Sequence, residues 1–126
     1  MAAIKGKDTK PELIVRRGLH ARGLRFRLHR RDLPGCPDIV FPSRRVAVFV
    51  HGCFWHAHEG CRHFSLPKAN RDFWKKKLRG NQKRDNANQT ALISAGWKVI
   101  VVWECELSGD PQTYLDILAQ TIRDRE

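Results

Sequence analysis

The stretch Val46-Ala-Val-Phe-Val50, followed at once by His51-Gly-Cys-Phe-Trp-His56-Ala-His58-Glu-Gly-Cys61, decides the fold of this chain. The first five residues are all apolar and predict a buried strand. The next eleven hold three histidines, two cysteines, a Phe-Trp pair and one carboxylate. Packing alone does not require so many nitrogen and sulfur donors, which are typical of metal sites and catalytic sites. We therefore expect the functional site at the end of this strand.

Length and charge narrow the class of protein. A chain of 126 residues is long enough for one hydrophobic core, so we expect a single domain over residues 1–126. The 24 Lys and Arg against 13 Asp and Glu give a net charge of +11, which favours polyanions. With four Trp and six Phe available for stacking, nucleic acid is the first candidate partner. A membrane is disfavoured, because no long apolar segment or amphipathic anchor stands out.

The N-terminus and the cysteines indicate a compartment. The opening residues contain no apolar signal core, so we expect a cytoplasmic protein. In a reducing cytosol the four cysteines favour metal binding or free thiols over disulfides.

Helix and strand signals alternate along the chain. A helix is predicted to begin near Thr9 and Pro11 and to stop at Gly23. Strands are predicted over residues 26–28, 38–41, 46–50 and 97–104, with a basic helix from Arg71 that breaks at Gly80-Asn81 and resumes to Ala95. Asp110-Pro111 should start a last helix, whose apolar stripe is Tyr114, Leu115, Ile117, Leu118 and Ile122. The order α-β-β-β-α-α-β-α predicts an α/β fold in which helices flank a mixed sheet.

The hairpin over residues 38–50 permits a sharper prediction. If residues 42–45 form a four-residue loop, Phe41 pairs with Val46 and Asp38 lies opposite Phe49. His51 then becomes a diagonal neighbour of Asp38 on one face, at roughly 7–8 Å. That gap leaves room for a metal ion, a water and a phosphate oxygen.

The spacing Cys53-x4-His58-x2-Cys61 suits a tetrahedral zinc ion. Cys105, just after the last predicted strand, is the best candidate for a fourth ligand, and His63 and His56 are weaker ones. Four protein ligands would make a closed, structural site. The alternative is a pair of buried free thiols with surface histidines. Cys36 has no obvious partner and is expected to be a plain turn or core thiol.

Other residues could hydrolyse a phosphodiester, which takes a hard cation and a base. Asp38 can supply an oxygen ligand for Mg²⁺, and His51 or His56 can act as base or phosphate partner near neutral pH. Glu12 would join them if the first helix packs over the Asp38 end of the sheet. The alternatives are that Asp38 caps a turn and that Glu12 only complements the helix dipole.

Aromatic residues framed by cations could contact DNA. Phe54 and Trp55 lie inside the ligand loop, and Trp74 begins the basic helix that carries Lys75, Lys76, Lys77 and Arg79. Such rings suit intercalation or stacking, with the cations on phosphates. For each ring, burial in the core is the alternative, and we assign Trp97 and Trp103 to the core.

Four stretches in this order resemble the very-short-patch-repair (Vsr) DNA mismatch endonucleases: Pro37-Asp38-Ile-Val-Phe41, Val48-Phe-Val-His51-Gly-Cys-Phe-Trp-His56, Phe73-Trp74-x-x-Lys77-Leu78 and Gly96-Trp-Lys-Val-Ile-Val-Val-Trp-Glu-Cys105. The resemblance covers nearly the whole chain. It implies a restriction-endonuclease-like fold with a structural zinc site. It also implies an enzyme that nicks one strand 5′ to the thymine of a T:G mismatch, which arises when 5-methylcytosine deaminates.

The resemblance also implies residue roles. Asp38 and the main-chain carbonyl of Val50 would bind Mg²⁺, His56 would be the general base, His51 would contact the scissile phosphate, and Glu12 would assist. The structural Zn²⁺ would be held by Cys53, His58, Cys61 and Cys105, and the rings beside the mismatch would be Phe54, Trp55 and Trp74. Some relatives carry Thr at the position of Val50, so only its carbonyl is expected to act.

Two functions from different classes follow. The first is a Mg²⁺-dependent mismatch nicking endonuclease, and the second is a zinc-stabilised DNA-binding module without catalysis. The placement of Asp38 and His51 on a common face favours the enzyme. We expect a monomer on double-stranded DNA with a T:G mismatch, and other mismatch-repair proteins are further candidate partners.

Overall fold

The computed structural model describes residues 9–58, 60–61 and 65–124. In chain order its elements are α1 (Lys10–Ala21), β1 (Arg27–Leu28), β2 (Ile39–Phe41), β3 (Val46–His51), α2 (Arg71–Ser94), β4 (Lys98–Trp103), a 3₁₀ helix (Glu104–Leu107) and α3 (Pro111–Arg123). The order matches the predicted one except that a single helix replaces the predicted pair after residue 70.

Within the described residues, four strands form one mixed sheet in the order β1-β2-β3-β4. β2 is antiparallel to β1 and to β3, whereas β3 and β4 are parallel. A parallel pair needs a long crossover connection, and α2 lies within it. Phe41 pairs with Val46 and Ile39 with Val48, which confirms the predicted loop and register.

A helical layer covers each face of the sheet because both faces of β3 are apolar. Val46 and Val48 point to one face, where they share a core with α1 and α3. Ala47 and Phe49 point to the other face, where Leu92 of α2 covers them. The structure thus confirms a mixed sheet flanked by helices.

The ends of the outer helices follow the sequence signals. The Thr9 side chain accepts a hydrogen bond from the Glu12 N–H at 3.4 Å, and Asp110 accepts from Gln112 and Thr113. The predicted stripe of α3 is wrong at Ile117, which is 62% exposed. Two residues after the buried Leu115, it lies on the far side of a helix with 3.6 residues per turn.

The predicted break at Gly80-Asn81 is also wrong, because α2 runs unbroken over 24 residues. Gly80 lies inside the helix, where a glycine costs only about 1 kcal/mol relative to alanine. Asn81 does not end the helix either; its side chain donates to the Trp55 carbonyl at 3.0 Å. No helix in the described ranges is both long and apolar enough to cross a membrane.

Candidate active site and metal centre

A cavity of about 590 Å³ opens where β3 ends. Its walls include Asp38, just before β2, His51, the last residue of β3, and Glu12, in the first turn of α1. The loop after β3 adds three aromatic side chains to the lining: Phe54, Trp55 and His56. Candidate residues that lie far apart in the sequence therefore surround one space.

Two carboxylates that line this cavity, Glu12 and Asp38, form a donor cluster with a neighbouring imidazole. The donor atoms of Glu12, His29 and Asp38 lie within 4.8 Å of one another. His29 Nε2 is 2.7 Å from Glu12 Oε2, and the Val50 N–H donates to Asp38 Oδ2 at 2.7 Å. Burial, with the neighbouring Glu12 carboxylate adding to it, raises the pKa of Asp38 to about 6 despite the Val50 bond. Carboxylates desolvated side by side favour a bound cation.

Asp38 and His51 line the same cavity but belong to separate donor clusters. Asp38 precedes β2, and its carboxylate turns toward the main chain of β3 at Val50. His51 instead clusters with His56 and Asp85. The register that would make Asp38 and His51 diagonal neighbours is confirmed, and the cavity provides the expected space near both.

The imidazoles of His51 and His56 stack with their centroids 3.7 Å apart and their planes 3° from parallel. Burial, with the nearby His56, lowers the pKa of His51 to about 4, so His51 is uncharged at neutral pH. His51 Nδ1 is buried without a hydrogen-bond partner in the described part of the chain. Such a polar atom needs a water or a ligand to satisfy it.

A carboxylate of α2 holds the imidazole of His56. Its Nδ1 lies 2.7 Å from Oδ2 of Asp85, in the middle of α2. A carboxylate on one ring nitrogen fixes the orientation of an imidazole and leaves the other nitrogen for proton transfer. A second cavity, of about 470 Å³, opens between α2 and β4 and is also lined by His51, His56 and Asp85.

The four predicted zinc ligands lie together. The donor atoms of Cys53, His58, Cys61 and Cys105 fall within 4.8 Å of one another, and Cys105 Sγ is 3.5 Å from His58 Nδ1. Burial raises the pKa of Cys53 to about 12, and it raises that of Cys105 as well. Thiols in this state resist ionisation unless a cation binds them, and three sulfurs with one imidazole nitrogen are a typical zinc set. Of the two alternative ligands, His56 lies in the cluster with His51 and Asp85, and His63 lies outside the described residues.

The three predicted DNA-contacting rings form one aromatic cluster. The centroid of Phe54 is 4.9 Å from Trp55 and 5.6 Å from Trp74, and the two Trp rings are 5.8 Å apart. Phe73, which is 60% exposed, extends the cluster at 5.3 Å from Trp74. The basic residues Lys75, Lys76, Lys77 and Arg79 follow on exposed positions of α2. This arrangement places exposed cations along the helix that carries Trp74.

Sequence reasoning missed two residues of the site, His29 and Asp85. His29 follows β1 and donates its N–H to the Asp38 carbonyl, so a correct pairing of β1 with β2 would have placed it. Asp85 has no local signal among the polar residues of α2.

Trp103 was assigned to the core but is only half-buried and stacks on His58, with centroids 4.0 Å apart. Cys36 lies exposed in a turn, as one of its two predicted roles required.

Two carboxylates and a carboxylate-bound imidazole share one cavity beside aromatic rings and a basic helix, which are the parts of a DNA endonuclease. Comparison with known proteins agrees with this class. The family described as "DNA mismatch endonuclease Vsr" matches residues 1–62. The chain belongs to the Vsr family of DNA mismatch endonucleases.

Three relatives show how far the similarity extends. The "Type II nicking enzyme V.XorIIP" of Xanthomonas oryzae is 57% identical over 108 residues, which are 86% of this chain and 79% of the relative. The "Type II nicking enzyme V.NmeAIP" of Neisseria meningitidis is 48% identical over 85% of this chain and 76% of its own length. The "DNA mismatch endonuclease Vsr" of Escherichia coli is 41% identical over 86% of this chain and 69% of its own length.

Proposed function

We propose that this endonuclease nicks one strand of duplex DNA 5′ to the thymine of a T:G mismatch, by Mg²⁺-dependent hydrolysis. Residues 1–126 would act as one Vsr-like domain with a restriction-endonuclease-like fold. The activity would repair deaminated 5-methylcytosine. The observation that carries the proposal is the single cavity that brings Asp38, His56 and the rings of Phe54 and Trp55 together.

Asp38 and the main-chain carbonyl of Val50 would hold the Mg²⁺ ion. The fit rests on hard oxygen donors and on the half-buried Asp38, whose pKa is raised to about 6 by burial and by the neighbouring Glu12. A bound divalent ion supplies Lewis-acid polarisation of the phosphoryl oxygens. Glu12, whose donor atom lies within 4.8 Å of those of Asp38 and His29, would assist from the same cluster.

His56 would take the proton from the attacking water, with Asp85 holding its ring through Nδ1. The neutral His51, stacked on His56, would contact the scissile phosphate. A buried nitrogen without a partner in the described residues suits this role, because a phosphate oxygen could satisfy it.

The cluster of Phe54, Trp55 and Trp74 would insert beside the mismatch, where the weakened stack costs less to open. Two side chains of α2 hold the loop that carries these rings: Asn81 donates to the Trp55 carbonyl at 3.0 Å, and Gln82 donates to the Ala57 carbonyl at 2.9 Å. A structural zinc ion on Cys53, His58, Cys61 and Cys105 would fix the same loop from the other side.

Single-turnover nicking of a T:G duplex, with binding measured in parallel, tests the proposal. Asp38→Asn should abolish nicking, while binding without Mg²⁺ persists or tightens because a repelling carboxylate is removed. Asp116→Asn, an exposed change on α3, is the matched control and should nick at the wild-type rate.

Wild-type nicking by Asp38→Asn would refute the metal assignment, and equal cleavage of C:G and T:G duplexes would refute the mismatch specificity. A wild-type protein that binds the duplex without cutting it would support the non-catalytic DNA-binding module instead.

A further inference from the structure

The carboxylate cluster contains a nitrogen donor that the proposed mechanism does not use. His29 Nε2 lies 2.7 Å from Glu12 Oε2, and its donor atom is within 4.8 Å of that of Asp38. The His29 side chain is only 18% exposed and the Glu12 side chain only 2%. The imidazole is therefore half-buried and lies beside both carboxylates of the proposed cation site.

The backbone holds His29 firmly in this position. The antiparallel pairing of Leu28 with Ile39 continues for one more step, and the His29 N–H donates to the Asp38 carbonyl at 3.1 Å. His29 has a φ of 49°, in the left-handed region that most side chains avoid. Such a conformation persists only where the surrounding structure imposes it, and here the strand pairing and the hydrogen bond to Asp38 do so.

The distances in the cluster suit one shared ion. Bonds of roughly 2.1 Å place neighbouring ligands of an octahedral cation about 3 Å apart and opposite ligands about 4.2 Å apart. The contact between His29 and Glu12 is close to the shorter spacing, and the 4.8 Å limit over the three donors leaves room for the longer one. Two oxygens and one imidazole nitrogen can therefore meet at a single ion after small rotations of the side chains.

The cluster of His51, His56 and Asp85 is less suitable for an ion. The rings of His51 and His56 lie flat on each other, so their in-plane lone pairs run side by side and do not converge. Among the described residues, the cluster at Glu12, His29 and Asp38 is therefore the better site for an ion bound through both oxygen and nitrogen.

We propose that His29 is a direct ligand of the active-site cation, which raises the affinity of this site for Mn²⁺ and related transition-metal ions more than its affinity for Mg²⁺. The inference rests on the proposed function, in which Asp38 holds that cation. Mg²⁺ prefers oxygen ligands and retains its water, whereas imidazole suits first-row transition metals. If His29 only neutralised Glu12, the ion on Asp38 would keep an all-oxygen shell.

Pulsed electron paramagnetic resonance on the zinc-loaded protein with Mn²⁺ alone tests the ligand directly. Wild-type protein should show a directly coordinated nitrogen whose coupling changes when histidine is labelled with ¹⁵N. The signal should disappear in His29→Gln and remain in His56→Gln. It should also remain in His20→Gln, an exposed change on α1. A wild-type spectrum without nitrogen coupling would overturn the proposal, and this result does not depend on any variant being folded.

Calorimetric titration separates this proposal from the proposed function. His29→Gln should weaken Mn²⁺ binding by at least about tenfold, since even residues that only orient a metal ligand cost about 10- to 100-fold in affinity. Mg²⁺ binding should change less, so the affinity for Mn²⁺ relative to Mg²⁺ falls. If Asp38→Asn loses Mn²⁺ while His29→Gln keeps wild-type affinity, only the role of His29 is wrong. If Asp38→Asn binds Mn²⁺ normally, the metal assignment of the proposed function fails as well.

Discussion

Two of the three donor clusters found in the described residues are assembled in different ways. In the cluster of Cys53, His58, Cys61 and Cys105, three donors come from one short segment. The cluster of Glu12, His29 and Asp38 takes each donor from a different part of the fold. The first depends mainly on local loop geometry, whereas the second exists only after α1 has packed and β1 has paired with β2.

The clusters also differ in what an ion would do there. Four protein donors close a site, which leaves no position for a substrate. Glu12 and Asp38 of the carboxylate cluster instead line an open cavity of about 590 Å³, and the third donor of the cluster is the imidazole of His29. We therefore expect the cysteine cluster to govern stability and the carboxylate cluster to govern catalysis.

Removal of zinc should produce the largest effect on the folded protein. Zinc binding to a site that the unfolded chain lacks counts toward folding, and in small zinc domains it reaches about 10–16 kcal/mol. A strong chelator, or Cys105→Ser, should therefore lower the unfolding temperature sharply, as calorimetry would measure. Elemental analysis should find one zinc per chain in the wild type and in Cys36→Ser, which removes an exposed thiol. A metal-free sample that unfolds like the zinc-loaded protein would contradict this role of the cluster.

Changes at His56 should slow catalysis and leave stability nearly intact. Loss of a general base costs about 10²–10⁴-fold in rate, so His56→Ala should fall in this range in single-turnover nicking. Asp85→Asn should cost less, because the base survives and only its orientation by the 2.7 Å contact is lost. Asp72→Asn, an exposed change at the start of α2, controls for the loss of a negative charge on that helix. A larger loss in Asp85→Asn than in His56→Ala would contradict these roles.

The half-buried Asp38 should make stability depend on pH when Mg²⁺ is absent. Its pKa is raised from 3.8 to about 6 in the folded protein, so folding favours the protonated form. This contribution is fully present below pH 4 and is lost as the pH rises through about 6. The shift corresponds to a loss of roughly 3 kcal/mol.

Urea unfolding of zinc-loaded wild-type protein and Asp38→Asn from pH 4 to pH 8 measures the effect. The difference between the two curves isolates Asp38 from His51, whose lowered pKa acts in the opposite direction as the pH falls from 6.5 to about 4. Added Mg²⁺ should reduce the difference, because a cation favours the charged carboxylate. Parallel curves for the two proteins would mean that folding does not raise the pKa of Asp38.

The same contrast explains what could be predicted from the sequence. Spacing within a segment gave Cys53, His58 and Cys61, and the loop length gave the pairing of Phe41 with Val46, because both depend on short stretches of chain. Sequence reasoning failed where packing over long distances decides. Asp85, which lies 2.7 Å from His56, is on the part of α2 beyond Gly80, where this helix was predicted to break.

The aromatic cluster should give the smallest effect, and this effect should lie in selectivity. Each base stacked on an aromatic ring contributes about 1–3 kcal/mol, and an inserted ring gains most where a mismatch has already weakened the stack. Trp74→Ala should therefore narrow the difference between T:G and C:G binding. The slope of log K against log[salt], about 0.9 per phosphate contact, should stay nearly unchanged because no cation is removed.

Trp97→Phe is the matched control, since Trp97 packs on the core under α2 and should retain the selectivity. Fluorescence titrations on both duplexes at several salt concentrations measure both quantities. Equal losses on the two duplexes would mean that Trp74 only supports the fold, as a buried ring would.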